Sequence, residues 1–169
     1  MKTCLLTISF CFCLFAFAQT QPKDSSLPYL KNLQIPPFKL IQSVNQTDTV
    51  WVTNNNLQKG KASIIIYFSP DCGHCQFEAK ELVKAKDSLN NANIIWVSYH
   101  PVEEILAFYE KYHLKELTNC IAGRDPKYFI PAFFRVEFTP FIAVYNAQGV
   151  FIKEFREGAK ATELISLIQ

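Results

Sequence analysis

Cys72-Gly73-His74-Cys75 sets two thiols three residues apart, where the all-apolar run Ile64-Ile65-Ile66-Tyr67-Phe68 stops and a helical pattern starts. That placement suits dithiol redox chemistry. A cysteine at a helix N-terminus lies against free backbone N–H groups and the positive end of the macrodipole, so its thiolate is favoured and its pKa falls below the ~8.5 of a free thiol. Cys72 is therefore the expected nucleophile. Cys75, about one turn deeper, is within side-chain reach of a mixed disulfide at Cys72 and is the expected resolving thiol. His74 is expected to tune the pair, because a protonated imidazole stabilises the neighbouring thiolate and makes the disulfide more oxidising.

The elements around the pair have to hold it. Ser63 to Phe68 and Ile94 to Val97 are apolar on both faces, as expected of central strands covered by helices. Between them a helix is expected, with Cys75, Ala79, Leu82, Ala85 and Leu89 inward and Glu78, Lys80, Glu81, Lys84 and Lys86 facing elsewhere. This strand–helix–strand unit predicts a right-handed parallel crossover. Phe38 to Ile41 and Thr49 to Val52 read as an N-terminal hairpin. A second helix is expected from Pro101 to about His113, with Val102, Ile105, Leu106, Tyr109 and Tyr112 on one side. Cys120 to Ala122 suits a short strand, and Asp125-Pro126 opens a helical stretch that Pro131 should interrupt or kink. Phe141 to Tyr145 and Val150 to Phe155, joined by Asn146-Ala147-Gln148-Gly149, read as an antiparallel hairpin, and Thr162 to Ile168 as a closing amphipathic helix.

The 169-residue chain opens on Met1-Lys2, an apolar stretch from Leu5 to Phe17, and Ala16-Phe17-Ala18. Those are the three parts of a secretory signal peptide, so residues 1–18 are expected to be cleaved after Ala18 and the protein to be secreted, into a periplasm. A membrane-anchored form is the weaker reading, since roughly fifteen apolar residues fall short of the ~20 a spanning helix needs. Residues 19–35 are polar and proline-bearing and read as an extended leader, leaving 36–169 as one domain and the protein as a monomer. Cleavage takes Cys4, Cys11 and Cys13 away, and the three remaining cysteines are too few for a multi-bridge scaffold, so folding must rest on a core. The formal net charge is +2, with no basic block longer than Lys59-Gly60-Lys61, and nothing argues for nucleic acid. Asn45-Gln46-Thr47 matches a glycosylation sequon by pattern alone.

A β–α–β unit with C-x-x-C at its first helix, then Thr139-Pro140 entering a hairpin and a last helix, resembles the thioredoxin fold. The fold implied is α/β, a central mixed β-sheet flanked by helices, with the N-terminal β-hairpin as an extension. More narrowly, Pro37-Phe38-Lys39-Leu40, Gly60-Lys61, Tyr67 to Cys75, Phe138-Thr139-Pro140-Phe141 and Asn146 to Gly149 are similar to extracytoplasmic thiol–disulfide oxidoreductases of the TlpA/ResA type. The resemblance covers about residues 35 to 169. It implies a redox-active Cys72–Cys75 disulfide with no further cofactor, protein thiols and disulfides as substrates, and work as a reductase fed by a membrane thiol donor. It also implies a cis-proline at Pro140 facing the cysteines and the Thr139 backbone pairing with the substrate chain. Two positions depart from the thioredoxin pattern. Asp71 replaces the tryptophan before the first cysteine, where a carboxylate would oppose thiolate formation. Ile66 replaces the buried carboxylate that handles the resolving cysteine's proton, leaving Asp71, Glu78 or water to do so.

Rival readings come from the same residues. Cys72 and Cys75 could be half of a zinc site completed from Cys120, His100 and His113, although no second closely spaced ligand pair exists. Copper proteins of the Sco type share the fold but space their cysteines wider. A Gly-His pair between the cysteines also occurs in protein disulfide isomerases, which leaves an oxidase or isomerase direction open. Ser69 matches a peroxiredoxin position, but that motif's proline is replaced by Ile65. Cys120 is expected to pack in the core.

Overall fold

The computed structural model describes residues 26–42 and 49–169, so the expected signal peptide and the Asn45 sequon lie outside the described residues. The strands are β1 (Lys39–Ile41), β2 (Trp51–Thr53), β3 (Ala62–Tyr67), β4 (Ala92–Ser98), β5 (Cys120–Arg124), β6 (Phe141–Tyr145) and β7 (Phe151–Phe155). The helices are α1 (Pro28–Lys31), α2 (Gly73–Lys84), α3 (Val102–Lys111), α4 (Phe129–Phe134) and α5 (Ala161–Ile168). One mixed sheet runs in the order β2-β1-β5-β4-β3-β6-β7. β3 pairs in parallel with β4, and β4 with β5, while β6 runs antiparallel to β3 on its other side.

Every residue of β3 and β4 is buried, which is why both carry apolar runs, Ile64 to Tyr67 and Ile94 to Val97. Successive side chains alternate between two cores. Ile64, Ile66 and Phe68 join Leu82, Trp96 and Phe108 on one face, and Ile65 and Tyr67 join Ile95, Val97, Phe134 and Phe141 on the other. The N-terminal hairpin extends the sheet with Leu40 opposite Val52, and it reaches β5 at Ile41 and Arg124. Gly123 permits that approach, since a Cβ there would meet Leu40 Cβ at 2.9 Å.

Several expectations change. α2 ends at Lys84, where the Ala85 N–H bonds back to the last turn, and Leu89 reaches the core from a separate 3-10 turn over Lys86–Leu89. Glu78, expected to face away, is buried on α2 beside Cys75, Ala79 and Leu82. In α3, Phe108 joins Ile105 in the core, a contact that the expected stripe omitted. Pro131 neither interrupts nor kinks α4; it is the third helical residue, where the N–H lacks an intrahelical partner anyway. The helix starts at Phe129 with Tyr128 as its N-cap, so Asp125-Pro126 lies before it, although Asp125 Oδ2 still accepts the Ile130 N–H at 2.7 Å.

The leader reading also needs correction over residues 26–35. α1 is a single helical turn that inserts Tyr29, 2% exposed, between Phe134 and Phe151 at centroid distances of 5.3 and 5.2 Å. Gln34 then bridges Val150, and Phe151 donates its N–H to the Leu33 carbonyl at 2.7 Å. Four residues are too few to show a period, so only tertiary burial distinguishes Tyr29 from Leu30, which is 54% exposed. Tyr29→Ala is expected to cost about 3 kcal/mol in urea unfolding, whereas Leu30→Ala should stay within about 0.5 kcal/mol. Equal effects would refute the assignment of this segment to the core.

Candidate active site

β3 ends beneath the loop Ser69-Pro70-Asp71, and α2 begins directly after Cys72. Cys72 is the N-cap residue, with φ −77° and ψ 116°, and its Sγ accepts the Cys75 N–H at 3.3 Å. Its own N–H donates to the Ser69 carbonyl at 3.1 Å. From the neighbouring strand, the Thr139 carbonyl accepts the Cys72 thiol at 3.3 Å. The Thr139–Pro140 peptide is cis, and it enters β6 just before Phe141, which pairs with Tyr67. Residues 67 apart in sequence thus meet at one edge of the sheet.

The two thiols, both unbridged, occupy opposite environments. Burial raises the Cys72 thiol pKa, but hydrogen bonds from the Cys75 thiol, the Thr139 side chain and the Cys75 and His74 amides outweigh it, leaving the thiol below its ordinary value. Cys75 is fully buried. Burial pushes its thiol up to about 12, with the adjoining Cys72 adding to the rise and the main chain of Ser69 and the side chain of Thr139 opposing it. One thiol is poised as a nucleophile and the other holds its proton until the chemistry requires it.

Glu78 follows Cys75 by three residues on the same helix and is 4% exposed. Its Oε2 accepts the Ala159 N–H at 3.2 Å, while Oε1 has no hydrogen-bond partner among the described residues. Burial raises this carboxyl to about 7, against the Ala159 hydrogen bond and with help from Glu81. Gly158, at φ +88°, closes over the carboxyl; a Cβ there would meet Glu78 Oε2 at 2.9 Å and Pro140 Cγ at 3.2 Å. A groove of about 670 Å³ runs past His74, Phe77, Glu78, Pro140 and Glu157. Phe77 and Phe138, 64% and 63% exposed, stand beside it as bare aromatic surface. Sequence reasoning missed Phe77 and Gly158, because nothing local in the chain marks them as neighbours of Pro140, and it read Phe138 as part of the Phe138 to Phe141 motif but not as exposed surface.

The other candidates separate. Asp71 is exposed and lines a different pocket with Gln76, Glu104 and Lys111, so solvent screens it and hydrogen bonds, not this carboxylate, govern Cys72. Ile66 is fully buried in the core, and the buried carboxylate nearest Cys75 in sequence is Glu78, on the helix. Cys120 packs against the core from β5, where burial pushes its thiol up. His100 engages Ser69 and Glu104, and His113 closes α3 at φ 57°. Among the described residues no group of three or more His, Cys, Asp or Glu side chains is placed to hold a metal.

Solved structures share this architecture. A secreted disulfide oxidoreductase of Mycobacterium tuberculosis, homologous to E. coli DsbE, matches with a TM-score of 0.61 at 20% identity, over 80% of this chain and 95% of that one. The thioredoxin domain of a thiol–disulfide oxidoreductase from Bacteroides vulgatus gives 0.61 at 17% identity, over 79% and 91%. The chain has the thioredoxin fold. Copper-bound ScoI of Arabidopsis thaliana also shares it, with a TM-score of 0.59 at 17% identity over 79% and 94%. No protein-family model and no curated protein sequence matches the chain.

Glu78 makes stability depend on pH. Its carboxyl titrates near 7 in the folded protein against an ordinary 4.5, so between those values the folded state binds more protons than the unfolded chain and stability falls as pH rises. Urea unfolding from about pH 4.5 to pH 8 is expected to show the wild type losing on the order of 2 to 3 kcal/mol relative to Glu78→Gln. Parallel curves for the two proteins would refute the buried-carboxyl reading.

Proposed function

We propose that this protein is a thiol–disulfide oxidoreductase acting on protein disulfides outside the cytoplasm, working as a reductase. The observation that carries the reading is Cys72 at the N-cap of α2, its sulfur between the Cys75 N–H and the Thr139 carbonyl, with Cys75 fully buried one turn below. The Cys72 thiolate attacks a substrate disulfide, forming a mixed disulfide and expelling the first substrate sulfur as a thiolate that takes up a proton. Cys75 then loses its proton and attacks Cys72 Sγ. The Cys72–Cys75 bond forms, the bond to the substrate breaks, and the second substrate sulfur leaves with the electron pair. Substrate gains two electrons and the protein becomes the disulfide, needing no cofactor beyond its own sulfurs.

Glu78 is the proton acceptor for Cys75, because a carboxyl titrating near 7 on the same helix face takes and returns a proton at neutral pH. His74 tunes the pair, and Thr139 with Pro140 orients the substrate strand beside Cys72. The exposed Phe77 and Phe138 give an incoming polypeptide apolar footing. A membrane thiol carrier returns the electrons. Export rests on the first 18 residues; no helix among the described residues is long and apolar enough to cross a membrane. The ScoI likeness keeps a copper or zinc module as the second reading.

Cys72→Ser is expected to abolish reduction of an exposed protein disulfide, and Cys75→Ser to accumulate mixed disulfides detected by non-reducing electrophoresis. Wild-type turnover in Cys72→Ser would refute the mechanism. Equilibration of Cys72 and Cys75 in dithiothreitol buffers, read by alkylation and mass, is expected to give a potential near thioredoxin's, about −270 mV. A value near that of disulfide isomerase, about −180 mV, would reverse the assigned direction. Tight copper or zinc binding with no disulfide formed would replace the reading altogether.

A further inference from the structure

Glu157 takes no part in the scheme above, yet it stands where two hollows meet beside the motif. It lines the groove of about 670 Å³ that passes Pro140, and also a smaller hollow of about 330 Å³ shared with His74, Phe138 and Thr139. The smaller hollow adjoins the reacting sulfur, because His74 lies between the two cysteines and the Thr139 carbonyl accepts the Cys72 thiol at 3.3 Å. Glu157 itself is exposed, two residues past the end of β7.

On a chain of formal net charge +2, this groove is locally acidic: four glutamates line it against Lys160 and His74. Three of the four carboxyls are engaged. Glu78 Oε2 accepts the Ala159 N–H, Glu81 pairs with Lys84 at 2.6 Å, and Glu163 Oε2 accepts the Lys160 N–H at 3.4 Å. Glu157 has no hydrogen bond or ion pair among the described residues. Its neighbour Arg156 does not neutralise it, because that guanidinium is held elsewhere: Nε donates to Glu154 Oε1 at 2.9 Å, Nη2 donates to Tyr29 Oη at 3.2 Å, and the group lies over the Phe141 ring. One carboxylate beside the reacting sulfur is therefore left without a cation.

Phe138, 63% exposed, borders the same hollow. A carboxylate with an aromatic ring beside it suits an ammonium or guanidinium: the carboxylate supplies the charge, and the ring supplies cation–π attraction and an apolar wall for the methylene stem. An acidic side chain would meet repulsion there. We infer that Phe138 and Glu157 form a cation subsite, which makes this protein select polypeptides carrying a lysine or arginine beside the cysteine that Cys72 attacks. The inference rests on the redox function proposed above. A substrate strand along Thr139 and Pro140, with its sulfur at Cys72, advances about 3.3 Å per residue. The side chain one or two residues from that sulfur then falls over the hollow, within reach of a lysine's four-carbon stem.

Three short peptides, each a symmetrical disulfide-linked dimer and differing only in Lys, Gln or Glu next to the cysteine, test the subsite. The rate at which each oxidises the reduced protein is read by alkylation and mass. The wild type is expected to react about threefold faster with the Lys peptide than with the Gln peptide, and about tenfold faster than with the Glu peptide. A thiolate alone also favours cationic disulfides, so the variants decide. Glu157→Gln should bring the three rates within about twofold, Phe138→Ala should shrink the Lys advantage, and Glu157→Lys should invert the order of the Lys and Glu peptides. Raising NaCl from about 50 to 500 mM should compress the wild-type ratios. The same order and ratios in wild type and Glu157→Lys would overturn the inference. Disulfide-free serine versions of the peptides, followed by amide chemical shifts, separate binding from chemistry. Equal affinities of the wild type for the Lys and Glu serine peptides would also overturn the subsite. A wild type that none of the disulfides oxidises, yet that still binds the Lys serine peptide more tightly, would defeat the redox function and leave the cation subsite standing.

Discussion

The site depends on the antiparallel ladder between β3 and β6, in which Tyr67 pairs with Phe141. This pairing brings the Thr139 carbonyl to the Cys72 thiol, since each strand ends one short loop from its chemistry. Strand side chains alternate faces, so a slip of one residue would send Ile64 and Ile66 out of the core they share with α2 and α3, and Ile65 and Tyr67 out of the other. Both faces of β3 are covered, and neither can accept the exchange. Burial of the central strand therefore fixes the register, and the register positions the site.

Two sulfurs at the same helix end become chemically unlike through the distance each sits from water. Cys72 at the rim collects amide and side-chain donors that favour its thiolate, while Cys75 one turn below loses solvent and keeps its proton. The same gradient acts on Glu78, whose carboxyl is raised by burial and left with one oxygen unpartnered. Gly158 is part of the arrangement, because a side chain at its φ of +88° would be strained, would displace the Glu78 carboxylate and would press on Pro140. The buried acid of this site sits on the helix, while the strand position that could have held one is Ile66.

Much of this was legible along the chain. The apolar runs of β3 and β4, the C-x-x-C at the start of α2, both hairpins and the closing helix all carry local signals: β-branched runs, a helical period and turn residues. Glu78 was legible as a residue near Cys75 but not as a buried one, since a glutamate at an ambiguous helix angle reads as a surface charge. Tyr29 was not legible at all, because one helical turn has no period and its anchors, Phe134 and Phe151, lie more than a hundred residues away.

The sequence by itself determined the central strands, both hairpins, the helix behind the C-x-x-C and the order of the two thiols along it, because hydrophobic period and turn chemistry act over a few residues. Only the tertiary structure decided which distant groups surround the sulfurs: Thr139 across the sheet, Gly158 and Ala159 over Glu78, and His100 behind Ser69. Those contacts follow from strand order and burial, in which residues far apart in the chain are brought together by excluding water from two faces of one sheet.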